Sequence, residues 1–297
     1  MVKIKVPATT ANLGPGFDTL GMALDLYNEL QVEEIPGRLD IEVEGYGKNN
    51  LPRDESNLVY RAMKLVFEAA DYPVSGLKIK LTNRIPLARG LGSSAAAIIG
   101  GMIAANELSG SCLETENLLK LALKLEDHPD NLVPALVGGL TVSTLQEGEV
   151  LYKRIEVPNL KVVLCIPDYE VSTKEAREVL PKRVALEEAV FNISHTGLLL
   201  TGLLTEDYRL VSKVLDDKLH QSYRESLVPG AAEIIENLDC KALGIVISGS
   251  GPTVLALTLE DEEKIGAQMV DVFSRREIEA QYLVTSPTNQ GAKLISI

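Results

Sequence analysis

The strongest chemical signal in the chain is one stretch, Pro86-Leu87-Ala88-Arg89-Gly90-Leu91-Gly92-Ser93-Ser94-Ala95-Ala96-Ala97. An apolar run, Leu77-Lys78-Ile79-Lys80-Leu81, precedes it, and a long Ala/Ile/Leu segment, Ala95 to Leu108, follows. Strand, glycine turn, helix is an order that presents unpaired N–H groups to an anion. Gly90 and Gly92 carry no Cβ and tolerate φ > 0, so a phosphate can approach the main chain. The first N–H groups of the helix have no intrahelical partner, and the helix dipole is positive there. Ser93 and Ser94 add hydroxyls, one to cap the helix and one to ligate a metal on the phosphate. No Lys follows the glycines, so this is not a Walker A loop; nor is it a dinucleotide fingerprint, since Ala95 stands in place of the third Gly, although Ala is allowed there. Taken alone, Gly-x-Gly is equally a tight strand-to-helix connection.

Two further glycine loops stand far from the first. Asn12-Leu13-Gly14-Pro15-Gly16-Phe17-Asp18 continues a stretch that is polar at Thr9 and Thr10, and Ser248-Gly249-Ser250-Gly251-Pro252-Thr253 joins two apolar runs. Between two apolar helical segments, Glu126 is followed by His128-Pro129-Asp130-Asn131. Each of these features on its own reads as punctuation or as a solvated polar face. Arg177 and Arg224 on their own read as surface arginines.

These loops need a scaffold, and the composition supplies one. At 297 residues, with 45% apolar and 24% charged residues, the chain can fill one large or two ordinary domains. Net charge is 29 − 42 = −13. An acidic surface argues against nucleic acid and against anionic membranes as partners, and no apolar stretch reaches the length of a membrane span. Any anion site must therefore gather positive potential locally. Cys112, Cys165 and Cys240 are dispersed and form neither a disulfide framework nor a zinc site. Met1 to Val6 alternates like a strand and carries no signal-peptide pattern, so a reducing cytoplasm is expected.

Periodicity predicts strands over 2–6, 20–24, 28–35, 41–45, 77–81, 140–145, 160–166, 242–247, 253–257 and 280–285. It predicts helices over 57–70, 95–108, 115–126, 132–136, 173–180, 183–203, 206–215, 230–238 and 260–274. The stretch from Pro7 to Asp18 is expected to be irregular, and Pro158-Asn159 marks a break. The helix after the phosphate loop is apolar nearly all round, so it should be buried, with Gly100 and Gly101 marking close packing. The mixture lacks strict βαβ repetition, which makes the class α+β. The domain boundary is placed near 150–160, giving units 1–155 and 156–297.

In this order, the three glycine loops resemble the three motifs of the GHMP kinases, over nearly the whole chain. Within that family, Val6 to Asp18, Glu126 with His128-Pro129-Asp130-Asn131, Thr173-Lys174-Glu175-Ala176-Arg177 and Tyr223 to Gly230 are similar to homoserine kinases. The resemblance implies an N-terminal ribosomal-protein-like domain with a left-handed βαβ crossover and a C-terminal ferredoxin-like α/β sandwich. It implies transfer of the γ-phosphoryl of ATP to the side-chain hydroxyl of L-homoserine, with Mg²⁺, on the route to threonine, by a homodimer. ATP would lie against Asn57 and Pro86 through Ala96, and the metal against Ser94 and Glu126. The amino acid would meet Asp18 through its ammonium, Arg177 and Arg224 through its carboxylate, and Asn12, Asn131 and Thr173 besides. Asn12, His128, Asn131 and Arg177 would serve the transfer itself, and no general base is assigned. The residue types suit these tasks: a guanidinium fork matches a carboxylate, and phosphoryl transfer asks for charge neutralisation and alignment. A kinase of another small alcohol (mevalonate or shikimate) and a non-catalytic sensor of ATP and a metabolite remain as alternatives.

Overall fold

The computed structural model describes residues 1–157, 159–238 and 240–295. Pro158, half of the expected break, lies outside them. In chain order the first unit holds β1 (Val2–Ala11), β2 (Leu20–Glu34), β3 (Leu39–Gly45), α1 (Leu58–Ala69), β4 (Leu77–Asn83), α2 (Ser93–Leu108), α3 (Thr115–Ala122), α4 (Pro129–Val137), β5 (Leu140–Gln146) and β6 (Glu149–Ile155). The second holds β7 (Lys161–Pro167), α5 (Thr173–Glu178), α6 (Leu186–Leu204), α7 (Tyr208–Val211), α8 (Gln221–Arg224), α9 (Ala231–Asn237), β8 (Gly244–Ile247), β9 (Val254–Thr258), α10 (Glu262–Ser274) and β10 (Ala280–Thr285), and β11 (Lys293–Leu294) follows.

Two sheets divide the molecule, and the α+β class holds. The first runs β11-β1-β2-β4-β3, with the β5–β6 hairpin paired on to the Leu20 end of β2. Here β3 and β4 are parallel and joined through α1. The second runs β10-β7-β9-β8 and is antiparallel at every pairing, the ferredoxin-like order that the resemblance implied. Its helices α9 and α10 cover one face around Ile234, Ile265, Met269 and Phe273.

Several local expectations need correction. Residues 7–11 are strand, not loop: the pairing jumps from Pro7 with Tyr27 to Ala8 with Leu24, so Pro7 sits at a bulge where its missing N–H costs the ladder nothing. For the same reason 20–34 is one strand bent at Asp25-Leu26 rather than two strands. β6 was not expected, although Glu149 to Ile155 alternates in exposure as a hairpin arm does. The helix expected over 115–126 ends at Ala122, and that over 206–215 shrinks to the single turn α7.

α2 is the element that matters for the site. It begins at Ser93, two residues earlier than expected, with Gly92 at the N-cap at φ 66°, and no side chain caps it. The two serine hydroxyls are thus left for other work. The helix is buried nearly all round, as expected, and its glycines explain how. A Cβ on Gly101 would press to 2.6 Å from the Val59 carbonyl oxygen of α1, and one on Gly100 to 3.2 Å from Val6 of β1. The helix therefore lies wedged between α1 and the sheet, fixing where its amino end points.

The segment after β10 returns to the first sheet. Its main chain bonds Asp25 N–H to Ser286 O (2.8 Å), Thr288 N–H to Ala23 O (2.9 Å), Gly139 N–H to Thr288 O (2.8 Å), Ala292 N–H to Ala135 O (2.8 Å) and Ile295 N–H to Lys3 O (2.9 Å). At about 1 kcal/mol net for each bond, a chain ended after Thr285 should lose roughly 3–5 kcal/mol in urea unfolding. An unchanged midpoint would show that the segment adds nothing to the first unit.

Candidate active site

Three loops meet at the start of α2, and side chains staple them. The first follows β1, the second follows β4, and the third, Ser248–Thr253, joins β8 to β9. The Ser248 hydroxyl donates to the Gly90 carbonyl at 2.6 Å and lies 2.8 Å from the Thr10 hydroxyl. Thr9 N–H donates to Leu91 O (3.2 Å), and Gly249 N–H to Ala11 O (3.2 Å). Asn12, in the left-handed region at φ 72°, donates from Nδ2 to Gly249 O (3.0 Å) and accepts the Asp18 N–H on Oδ1 (3.1 Å). Space here is tight: a Cβ on Gly90 would strike the Ser248 carbonyl, and one on Gly92 the Thr9 hydroxyl. Both glycines have positive φ as well, at 71° and 66°.

The first intrahelical bond of α2 is Ala96 N–H to Gly92 O. Ser93, Ser94 and Ala95 N–H groups therefore make no main-chain bond among the described residues. They face a cavity of about 380 Å³. Asn12, Asp18, Asn57, every residue from Leu87 to Ala96, Glu126, His128, Asn131, Thr173, Arg177 and Arg224 line it. Pro86 does not, lining instead a second cleft with Tyr46 and Pro167. Arg89 faces both spaces, but its guanidinium is committed to the second unit: it donates to Pro167 O (3.0 Å) and pairs with Asp168 and Glu170. Asn57 caps α1, accepting Val59 N–H on Oδ1 (3.0 Å) and donating to Pro52 O (2.7 Å). Leu51, Leu58, Leu81 and Leu87 give the cavity apolar wall.

Charged groups supply the rest of the lining. Arg177 forks on to Asp18, Nη2 to Oδ1 at 2.6 Å and Nη1 to Oδ2 at 3.1 Å. Arg177 Nε is buried without a hydrogen-bond partner among the described residues. Arg224 is 2% exposed. It donates from Nε to Ala176 O (3.1 Å) and from Nη1 to Gly249 O (2.8 Å). Burial, and then the charge of Arg177, lower its pKa to about 10, so it stays a cation at neutral pH. The two guanidiniums lie 5.6 and 5.5 Å from the centre of the Phe17 ring, so both are within reach of its π-system.

Glu126 and Asp130 line the same cavity and have no ion-pair partner among the described residues. Burial and then Asp127 raise the Glu126 pKa. Burial and then Asp18 raise Asp130 to about 7. His128, at the N-cap of α4, has a lowered pKa through burial and then Arg177, so it is neutral at physiological pH. Asn131 Oδ1 accepts the Thr9 hydroxyl at 2.7 Å, which leaves its amide N–H groups for a ligand apart from a long contact to Asp130 (3.4 Å).

The sequence reading gave no role to Asp130, nor to His220. His220 is fully buried under Phe17. Its Nε2 lies 2.8 Å from Gly14 O and its Nδ1 3.3 Å from Arg224 Nη1. Burial keeps the ring neutral, so Nε2–H donates to Gly14 and Nδ1 accepts from Arg224. The spacing from His220 to Arg224, four residues on one helical turn, was the available signal.

Residues 57–139 match the family model of the GHMP kinases N terminal domain, and residues 199–275 that of the GHMP kinases C terminal domain. A homoserine kinase of Petrotoga mobilis is 45% identical over 100% of this chain and 97% of its own length. One of Aquifex aeolicus is 45% identical over the whole of both chains. The crystal structure of homoserine kinase from Cytophaga hutchinsonii superposes with a TM-score of 0.88 at 35% identity, covering 99% of this chain and 97% of that one. Identity of this order across both units, on a fold with this loop arrangement, means that the chain belongs to the homoserine kinases within the GHMP kinase family.

Proposed function

We propose that this protein transfers the γ-phosphoryl group of ATP to the side-chain hydroxyl of L-homoserine, in threonine biosynthesis. The observation that carries the reading is the forked Asp18–Arg177 pair in the same cavity as the free amides of α2. A zwitterionic amino acid needs an acceptor for its ammonium and a fork for its carboxylate, and this pair holds one of each side by side. The substrate exchanges its own charges with the pair, so no charge is stranded on binding. Arg224, buried and cationic, adds to the carboxylate site.

The α2 amides receive the triphosphate. Glu126 and Ser94 suit Mg²⁺, because Glu126 is a half-buried oxygen donor in the cavity whose pKa burial and then Asp127 raise, so a cation beside it would favour its ionised form. Among the described residues no group of three or more His, Cys, Asp or Glu could hold a metal. This fits a cation that takes its remaining ligands from nucleotide and water. Bound there, Mg²⁺ neutralises developing phosphate charge. Neutral His128 and the Asn131 amide hold the homoserine hydroxyl, and a loose transition state asks for alignment more than for a strong base. Asn12, with both ends of its amide engaged, acts by fixing the Asp18 loop against the third motif. Thr173, at the first turn of α5, lines the cavity and would contact the amino acid. A reducing cytoplasm suits the three free cysteines; among the described residues no helix is long and apolar enough to cross a membrane. A homodimer completes the reading.

Three outcomes follow. Arg177→Ala and Arg224→Ala should each raise the KM for homoserine about 10- to 100-fold, the loss of a charged hydrogen bond, while the KM for ATP changes little. An unchanged homoserine KM removes that residue from the site. Glu126→Gln should lower kcat mainly at limiting Mg²⁺, and a loss that excess Mg²⁺ never relieves would contradict metal binding there. Asp130 binds its proton more tightly folded than unfolded. Its contribution is complete below about pH 4 and is lost as pH rises to about 7. Asp130→Asn should therefore flatten the stability profile over that window, by as much as about 4 kcal/mol. Parallel profiles for the two proteins would show that the carboxyl is not held protonated.

A further inference from the structure

Arg224 is held by groups that accept its hydrogen bonds without taking its charge. Nε–H donates to Ala176 O (3.1 Å), and the two N–H groups of Nη1 go to Gly249 O (2.8 Å) and to His220 Nδ1 (3.3 Å). All three acceptors are neutral. Nη2 makes no hydrogen bond among the described residues, and Arg224 lines the cavity. The side chain is thus fixed at three points and keeps Nη2, with an unneutralised charge, for a ligand. Arg177, by contrast, commits its fork to Asp18. A carboxylate stands close to Arg224 and does not pair with it. Asp217 has no exposed side-chain surface, but N–H donors fill its oxygens. Asn192 Nδ2 (2.6 Å) and Leu219 N–H (3.1 Å) meet Oδ1, and His220 N–H (2.8 Å) and Gln221 N–H (2.7 Å) meet Oδ2.

We propose that His220 is the positioning residue of the substrate-carboxylate site: its imidazole ties Arg224 to the loop that carries Asp18, so that the ligand for each end of the amino acid is held in register with the other. Each ring nitrogen has one task. Gly14 O, four residues before Asp18, accepts Nε2–H at 2.8 Å, which leaves Nδ1 as the acceptor for Arg224. The ring also stacks on Phe17, with centroids 5.2 Å apart. The flanking residues brace the same parts. Asn192 Nδ2, already on Asp217, donates to Pro15 O (3.0 Å), and Gln221 Oε1 accepts Ile247 N–H (2.8 Å) just before the third loop. Residues 217–224 therefore form a buried strut between the first and third motifs, with Arg224 at one end.

A neutral acceptor is the chemistry this place requires. An anionic side chain would pair with Arg224 and weaken its pull on a substrate carboxylate. An apolar one would leave a buried N–H of Nη1 without a partner and the guanidinium free to turn. A buried neutral imidazole avoids both. The ammonium and carboxylate of an α-amino acid sit on one carbon at a set spacing, so a site whose own charges are already locked at that spacing loses little freedom on binding. The role given to Arg224 rests on the function proposed above, whereas its link to His220 does not.

The test is a double-substitution cycle in steady-state kinetics, His220→Phe against Arg224→Ala, with nitrogen NMR on the wild-type chain. His220→Phe keeps a ring on Phe17 and removes both nitrogens. It should raise the KM for homoserine about tenfold, the loss of one hydrogen bond to a charged group, with the KM for ATP unaltered. Because His220 acts through Arg224, His220→Phe added to Arg224→Ala should raise that KM no further. His220→Asn, whose Oδ1 can accept where Nδ1 did, should recover most of the loss. In the wild-type spectrum His220 Nδ1 should be unprotonated, and its resonance should move in the Arg224→Ala protein. This arm needs no replaced ring, so it decides the link even if His220→Phe does not fold. Losses that multiply in the double variant, a normal homoserine KM in His220→Phe, a His220→Asn protein as impaired as His220→Phe, or a protonated Nδ1 would each overturn the proposal. An unchanged homoserine KM in Arg224→Ala alone would instead remove the carboxylate site, and this role with it, while an unprotonated Nδ1 that responds to Arg224 would leave the link itself standing.

Discussion

The architecture depends on the clamp that closes three distant loops on the amino end of α2. Ser248 reaches Gly90 from one side and Thr9 reaches Leu91 from another. Neither glycine of the phosphate loop leaves room for a methyl group. A main chain held this way cannot relax on to a phosphate; it must already fit one. The absence of a side-chain cap on α2 belongs to the same design, because a capping hydroxyl would compete with the ligand for the N–H groups. Both units contribute to the clamp, so the site exists only when they are docked, and Arg89 ties the loop to β7 for the same end.

A protein of net charge −13 still has to attract a triphosphate and a carboxylate. It does so by hiding positive charge rather than displaying it. Arg224 is buried among carbonyl oxygens and a neutral imidazole, and Arg177 is half-shielded by Asp18. In such surroundings the dielectric is low and each cation acts strongly over a short range. The acids share the arrangement. Glu126 and Asp130 are held where their own ionisation is unfavourable, a condition that a divalent cation or a substrate ammonium relieves.

Much of this was legible in the sequence, for identifiable reasons. A phosphate loop is local: its glycines, serines and following helix are contiguous, so residues 86–97 disclose their chemistry unaided. The buried character of α2 and the packing role of Gly100 and Gly101 were equally local. Residues 7–11 misled because Pro7 and the Asn12, Gly14 and Pro15 that follow speak for a loop, and only the partner strand reveals that Pro7 occupies a bulge. Arg177 and Arg224 looked like surface residues, since nothing near them in sequence says that Phe17 and Gly249 come to meet them. His220 and Asp130 were silent for the same reason. Their importance is burial beside a particular charge, a property of the folded chain. The mutual pairing of Asp18 and Arg177 could not be read either, because 159 residues separate them.

The central claim is that the free amides of Ser93, Ser94 and Ala95 bind the triphosphate. A crystal structure with Mg²⁺ and a non-hydrolysable ATP analogue tests it directly. Phosphate oxygens should lie within about 3 Å of those three nitrogens, with Gly90 and Gly92 unmoved. A triphosphate seated elsewhere in the cavity, leaving the start of α2 to water, would contradict the account.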